Sequence, residues 1–296
     1  DHEKAGVASL NKAISNEPER VRLRLALARY HIRNDRPEQA LGQLRMAFTT
    51  NPSDWNATAA YMELLLRQGE TTEAEEIRDS LLNGYGEEPS AILLASMADA
   101  QLGNIEMAQK RLESLVDDEP QLQAPKVALA RLYNQTDQKD KAVAMLIEAA
   151  NITPDVVQPL QQAGQIYARS HSVSEVEAWL KEVGATNPDL KRNSDALAAM
   201  ISIRKGELAT ARALLDNWTD SEAVPVDRAM AQLLRAEARA AVRSEDYATA
   251  RSKAAEAIAM EPENIGFALL PVAIAQVEGD LNSALSALDG VQETFG

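Results

Sequence analysis

Arg235, Arg239 and Arg243 recur at four-residue steps. On a helix that spacing lays three guanidiniums along one face, each a fork of donors suited to a carboxylate or phosphate. No comparable set of residues points to bond-making chemistry. The histidines His2, His31 and His171 lie far apart, and His31 sits at an apolar packing place, where a satisfied or half-buried ring is expected. HExxH, GxGxxG, GxxxxGK and GxSxG are all missing, so none of these patterns is there to hold zinc, a dinucleotide, a nucleotide phosphate or a nucleophilic serine. The absence of cysteine removes disulfides, thiolate metal sites and cysteine nucleophiles. Asp117-Asp118 and Glu87-Glu88 pair carboxylates, but they stand beside prolines and read as solvated helix ends. Trp55, Trp179 and Trp218 occupy unrelated places and read as local packing. The expectation is a chain that is not an enzyme and uses neither cofactor nor metal.

The elements that carry these residues are expected to be helices. Of 296 residues 45% are hydrophobic but only 4% aromatic, with a bias to Ala, Leu, Glu and Arg. Such side chains lose little freedom in a helix. Thirty basic against 45 acidic residues leave a net charge of −15, which argues against non-specific nucleic-acid binding. The longest apolar run, 268–275, is interrupted by Pro271 and is far short of the ~20 residues that span a bilayer, so no membrane insertion by this segment is expected.

Prolines mark a period. Pro18, Pro52, Pro89, Pro120, Pro154, Pro188, Pro225 and Pro262 are separated by 34, 37, 31, 34, 34, 37 and 37 residues. Between them the apolar pattern repeats as two short helices and a polar turn. It is clearest in 129–154, with Leu129, Ala130 and Tyr133, then Ala142, Leu146 and Ala149. Small residues where two helices cross allow close approach, and each pair needs the next to bury its remaining apolar face. Asn51-Pro52-Ser53-Asp54 stops one helix and caps the next. Asp35 and Pro37 suit an N-cap and a first-turn proline, and Thr72/Glu75 and Ser174/Glu177 have capping-box spacing.

This pattern resembles the tetratricopeptide (TPR) family over nearly the whole chain. The resemblance implies an all-α fold, a right-handed α-solenoid of helix-turn-helix units. The expected divisions are a half repeat at 1–20 and repeats at 21–54, 55–88, 89–122, 123–156, 157–191, 192–230, 231–264 and 265–296, in a fragment of a longer protein. An irregular connection, 219–225, precedes the seventh full repeat.

In such a solenoid the first helix of each pair lines the concave face. The sites that the family turns inward hold Arg22, Arg29, Arg33, Arg67, Arg131, Arg169, Arg204, Arg235, Arg239 and Arg243, against one acid, Glu63. Leu25, Leu93, Met97, Asn134, Gln161, Gln165, Met200 and Gln232 complete the lining. Two readings stay open. The arginines cover alanine-rich surface and pair with acids of the second helices, or they form a groove for an acidic segment. The family's lysine/asparagine carboxylate clamp is not supported, because Leu25 and Arg29 take its places. The resemblance implies a non-catalytic scaffold for a protein or peptide, with Arg131 and Asn134 among the contacting residues. Its alanine-rich units are also similar to those of bacterial secretion and exopolysaccharide-export TPR proteins. An assembly arm that meets an anionic polysaccharide is thus the alternative, and the bacterial periplasm is favoured over the cytoplasm. Self-association through exposed solenoid ends is expected.

Overall fold

A computed structural model describes residues 2–218 and 224–295 of the chain, and the part of the irregular connection at 219–223 lies outside them. Every regular element among the described residues is helical. The chain divides into two units, 1–145 and 146–296. The first holds α1 (His2–Asn16), α2 (Val21–Arg33), α3 (Pro37–Thr50), α4 (Trp55–Gln68), α5 (Thr71–Tyr85), α6 (Pro89–Gln101), α7 (Ile105–Asp118) and α8 (Gln123–Gln135). The boundary falls in α9 (Lys139–Ile152). The second unit continues with α10 (Gln158–Tyr167), α11 (Val173–Thr186), α12 (Lys191–Lys205), α13 (Leu208–Leu215), α14 (Val224–Arg243), α15 (Tyr247–Met260), α16 (Ile265–Ala268), α17 (Leu270–Glu278) and α18 (Leu281–Phe295).

Within each unit the helices pair as the small residues dictate. Ala28 and Ala40 are buried where α2 meets α3, and Ala199 and Ala211 are buried in α12 and α13. The second helix of a pair is then covered by the first helix of the next: α3 by α4, α5 by α6, α13 by α14 and α15 by α17. That cover buries Leu44, Leu215 and Ala254 almost completely.

The turn inside seven of the helix pairs has a common closure, which the turn between α10 and α11 lacks. Asp35, Gly69, Gly103, Asp137, Gly206, Glu245 and Gly279, equivalent in their pairs, all have positive φ, between 53° and 88°. The next residue's N–H then donates back to a carbonyl five residues earlier, as in Glu70 to Leu65 and Asp246 to Ala241, both at 2.9 Å. This is the Schellman arrangement, which satisfies carbonyls that a helix end leaves unpaired. Glycine takes this conformation freely, aspartate at some cost and glutamate at more.

Three local expectations change. Asp35 is the left-handed residue of this turn and caps nothing, since Arg36 is the N-cap of α3. The capping box joins Ser172 to Glu175, while Ser174 and Thr72 lie inside α11 and α5. The boundary expected at 230/231 falls within α14, because buried Val226, Ala229 and Met230 extend its apolar stripe toward Val224. Asp54 does cap α4, accepting from the Ala57 N–H at 3.1 Å. No helix among the described residues is long and apolar enough to cross a membrane.

Candidate functional site

Most arginines that make ion pairs are not those expected on the concave face. In unit 1 Arg45 of α3 binds Glu73 of α5 at 2.6 Å, and Tyr61 donates to the same carboxylate. Burial, and then the bond to Glu73, push the Tyr61 phenol up to about 12, while the Arg45 guanidinium holds Glu73 below the usual carboxylate range. Asp99, buried in α6, receives Arg78 at 2.9 Å as well as Arg111 and Asn104. In unit 2 Arg212 grips Glu237, and Arg251 grips Glu278. These pairs tie neighbouring helices together.

The predicted arginines sit differently. Arg22, Arg29 and Arg33 share α2 and are exposed. Arg67 pairs with Glu63 of its own helix at 2.6 Å, both side chains being exposed. Arg131 is exposed on α8, with Asn134 half-buried one turn on. Arg169 follows α10, and Arg239 and Arg243 are exposed on α14. Arg235 is half-buried, its guanidinium 5.7 Å from the Phe267 ring centroid; burial and the neighbouring Arg239 charge lower its pKa. Leu25, expected in the groove, is instead core, because it packs with Val21 and Ala28.

Unit 2 brings Arg204 to a cavity of about 720 Å³ bounded by α10, α11, α12 and α14. Small side chains leave that space: Gly164 and Ala168 near the end of α10, Ala196 on α12 and Ala229 on α14. Its apolar wall includes Val176 and Leu180 from α11 and Leu197, Met200 and Ile201 from α12. Gly184 sets the spacing of those two helices, since a Cβ there would lie 3.1 Å from Ser194 Cβ and 3.3 Å from Lys191 Cα. Gln158, Gln161 and Gln165 line the α10 side.

Three cations border the cavity, and their electrostatics differ. Lys205 is neutralised by Glu177 at 3.0 Å and Glu207 at 2.8 Å. Burial raises the Glu177 pKa, but bonds from Lys205 and Ser202 outweigh it and keep the carboxylate below its usual range. Arg204 and Arg228 have no ion-pair partner among the described residues. Arg228 was not among the expected site residues. Its signal is the spacing Arg228, Gln232, Arg235, Arg239 and Arg243 along one face of α14, which a repeat boundary at 230/231 cuts in two.

The other singled-out residues make local contacts. His31 is buried, its Nδ1 has no hydrogen-bond partner, and burial followed by the Arg36 charge lowers its pKa. His171 stacks on Tyr167 at 3.8 Å, and Tyr167 stacks on Trp179 at 4.9 Å. Trp55 packs edge-on to Tyr85, and the Trp218 Nε1–H donates to Asp195 at 2.9 Å. The side chain of His2 lies outside the described residues. No group of three His, Cys, Asp or Glu among the described residues is placed to hold a metal ion.

No family model and no curated protein matches the chain. Solved structures do. The APC/C hetero-tetramer Cut9-Hcn1 aligns with 98% of this chain at 14% identity and TM-score 0.44, and the chain spans 56% of the length of that protein. A human IFIT1 dimer with PPP-AAAA aligns with 99% of this chain and 68% of its own, at 14% identity and TM-score 0.45. A thermophilic TPR protein of Thermus thermophilus aligns with 60% of this chain and 98% of its own, at 20% identity and TM-score 0.44. The architecture rests on the chain's own geometry: successive antiparallel helix pairs, alanines at their crossings and one recurrent turn closure describe an all-α repeat protein of the tetratricopeptide type.

Proposed function

We propose that the chain is a non-catalytic scaffold that holds a segment of another protein in the cavity of unit 2. The observation that carries this reading is the pair Arg204 and Arg228, two guanidiniums without ion-pair partners among the described residues, beside an apolar space of about 720 Å³. An apolar side chain of the segment fills the space between α11 and α12, and its Asp or Glu accepts forked bonds from the arginines. The glutamines of α10 offer both donors and acceptors to an extended backbone. The arginine stripe of α14 continues that cationic edge toward Arg243. A volume of this size falls within the range of concave ligand sites, ~300–1,000 Å³.

Fluorescent peptides that place one leucine beside two aspartates test the reading against the same peptides with asparagine. The aspartate peptides should bind more tightly. Arg204→Glu with Arg228→Glu should weaken them by about 100-fold, as expected when charged partners are turned into like charges. Helical circular dichroism should not change. Equal affinity for the two peptide sets, or binding that survives the double reversal, would sink the proposal. An acidic glycan added as competitor gives the alternative its own outcome: salt-sensitive displacement at the same arginines would favour an anionic polymer over a peptide.

A further inference from the structure

The cavity of unit 2 is a trough that follows α12. That helix lines it from Ala196 to Lys205, and α10 lines it from Gln158 to Ala168. At the rise of an α-helix these stretches are about 14 and 15 Å long. α14 enters through Pro225, Arg228 and Ala229, near its start. Because helices pair antiparallel, α12 and α14 run the same way. Two contacts place the start of α14 at the start of α12: Ala196 and Ala229 are buried in one cluster, and Trp218, six residues before Val224, donates to Asp195 at 2.9 Å. The two open arginines therefore do not sit side by side. Arg228 stands at the level of Ala196, and Arg204 is eight residues further along α12, a separation of about 12 Å. Leu197, Met200 and Ile201 occupy the interval, together with Val176 and Leu180 of α11. Lys205 adds no third anchor, since Glu177 and Glu207 hold it.

The order of charge, apolar floor and charge suits one form of backbone. In an extended chain residues i, i+2 and i+4 point to the same face, and i to i+4 spans about 13 Å. The α10 wall favours the same form. Gln158, Gln161 and Gln165 are exposed amides spread along the trough. An extended chain has unpaired N–H and C=O groups to offer them, whereas a helix has used its own. We propose that the trough selects an extended segment with acidic residues at i and i+4 and an apolar residue at i+2. The two arginines hold the acids, one at each end, and the apolar side chain seats between α11 and α12. This rests on the binding role proposed for the cavity and adds the spacing and backbone form of its ligand.

Three labelled peptides of equal charge test the spacing. One has aspartates at i and i+4 around leucine at i+2, and the second is a permutation of it with the aspartates adjacent. The third is a side-chain-bridged helix with aspartates at i and i+7 and leucine at i+4. Anisotropy should show the spaced peptide binding about tenfold more tightly than either of the others. Arg204 and Arg228 are both exposed, so single glutamine substitutions should leave the fold intact. Arg204→Gln should weaken the spaced peptide by about tenfold and make it indifferent to asparagine at one end only, and Arg228→Gln should do the same at the other end. Equal binding of the spaced and adjacent peptides, both lost with Arg204→Glu and Arg228→Glu together, overturns the spacing and leaves the cavity as a binding site. Tighter binding of the helix overturns the extended form. If both single variants lose sensitivity to the same aspartate, the arginines share one carboxylate and the arrangement of two anchors is wrong. Aspartate peptides that bind no better than asparagine controls overturn the binding role of the cavity, and the spacing with it.

Discussion

The two units put charge to different uses. In unit 1 the buried Asp99 is enclosed by Arg78, Arg111 and Asn104, and Glu73 by Arg45 and Tyr61. In unit 2 the ion pairs also tie helices, but Arg204 and Arg228 stand apart from them beside an apolar cavity. Burial explains the contrast. A carboxylate shielded from water must be paired or protonated, so charges near a core come with partners. An arginine at a cavity edge keeps its hydration and can exchange that water for a ligand at low cost. Closed charge belongs to architecture here, and the open charge beside the cavity is what the proposed binding uses.

The strongest way to break that contrast is Asp99→Ala. It strands Arg78 and Arg111 beside a protein interior and should cost about 3 kcal/mol, as loss of one partner of a buried pair does. Arg228→Ala strands nothing and should stay within about 0.5 kcal/mol. Urea denaturation of the two variants measures both; similar losses would erase the distinction between closed and open charge.

Acid should sharpen it next. Glu73 is held below its ordinary pKa in the folded protein, chiefly by Arg45. Its stabilising contribution is therefore complete above the unfolded value of about 4.5 and is lost as pH falls through the lower folded value. Glu73→Gln should flatten the fall in urea midpoint as the solution is taken below about pH 5. An unchanged acid limb would show that the Arg45 bond contributes nothing in solution.

The smallest effect concerns the turns that both units share. Glu245 takes a left-handed conformation that glycine takes in the equivalent turns of Gly206 and Gly279. Glu245→Gly should gain about 0.5 kcal/mol, the relieved strain exceeding the added chain entropy, and Gly206→Ala should lose about 1 kcal/mol. Thermal melts monitored by helical circular dichroism would register both signs.

Much of the architecture was legible in residue spacing. The period of helix pairs, the alanines at crossings and the leucines beneath the next pair are all local apolar patterns. Gly69, Gly103, Gly206 and Gly279 announced the turn, whereas Asp35, Asp137 and Glu245 disguised it, because their types do not report a positive φ. The candidate site was legible only in part. Gln161, Gln165, Met200 and Arg204 were placed on a common lining and do share the cavity, but Leu25 went to the core and Arg228 escaped notice.

By itself, the sequence determined that this chain would be helical and repetitive, since periodicity decides which face of each helix leaves water. Only the tertiary structure decided where space and unpaired charge remain. A cavity is a mismatch among four helices from successive pairs, and an ion pair such as Arg78 with Asp99 joins residues whose distance depends on packing. An apolar stripe states that a face will be covered. How far that cover extends, complete over Leu215 and slight over Leu281, is settled by which helix comes to lie beside it.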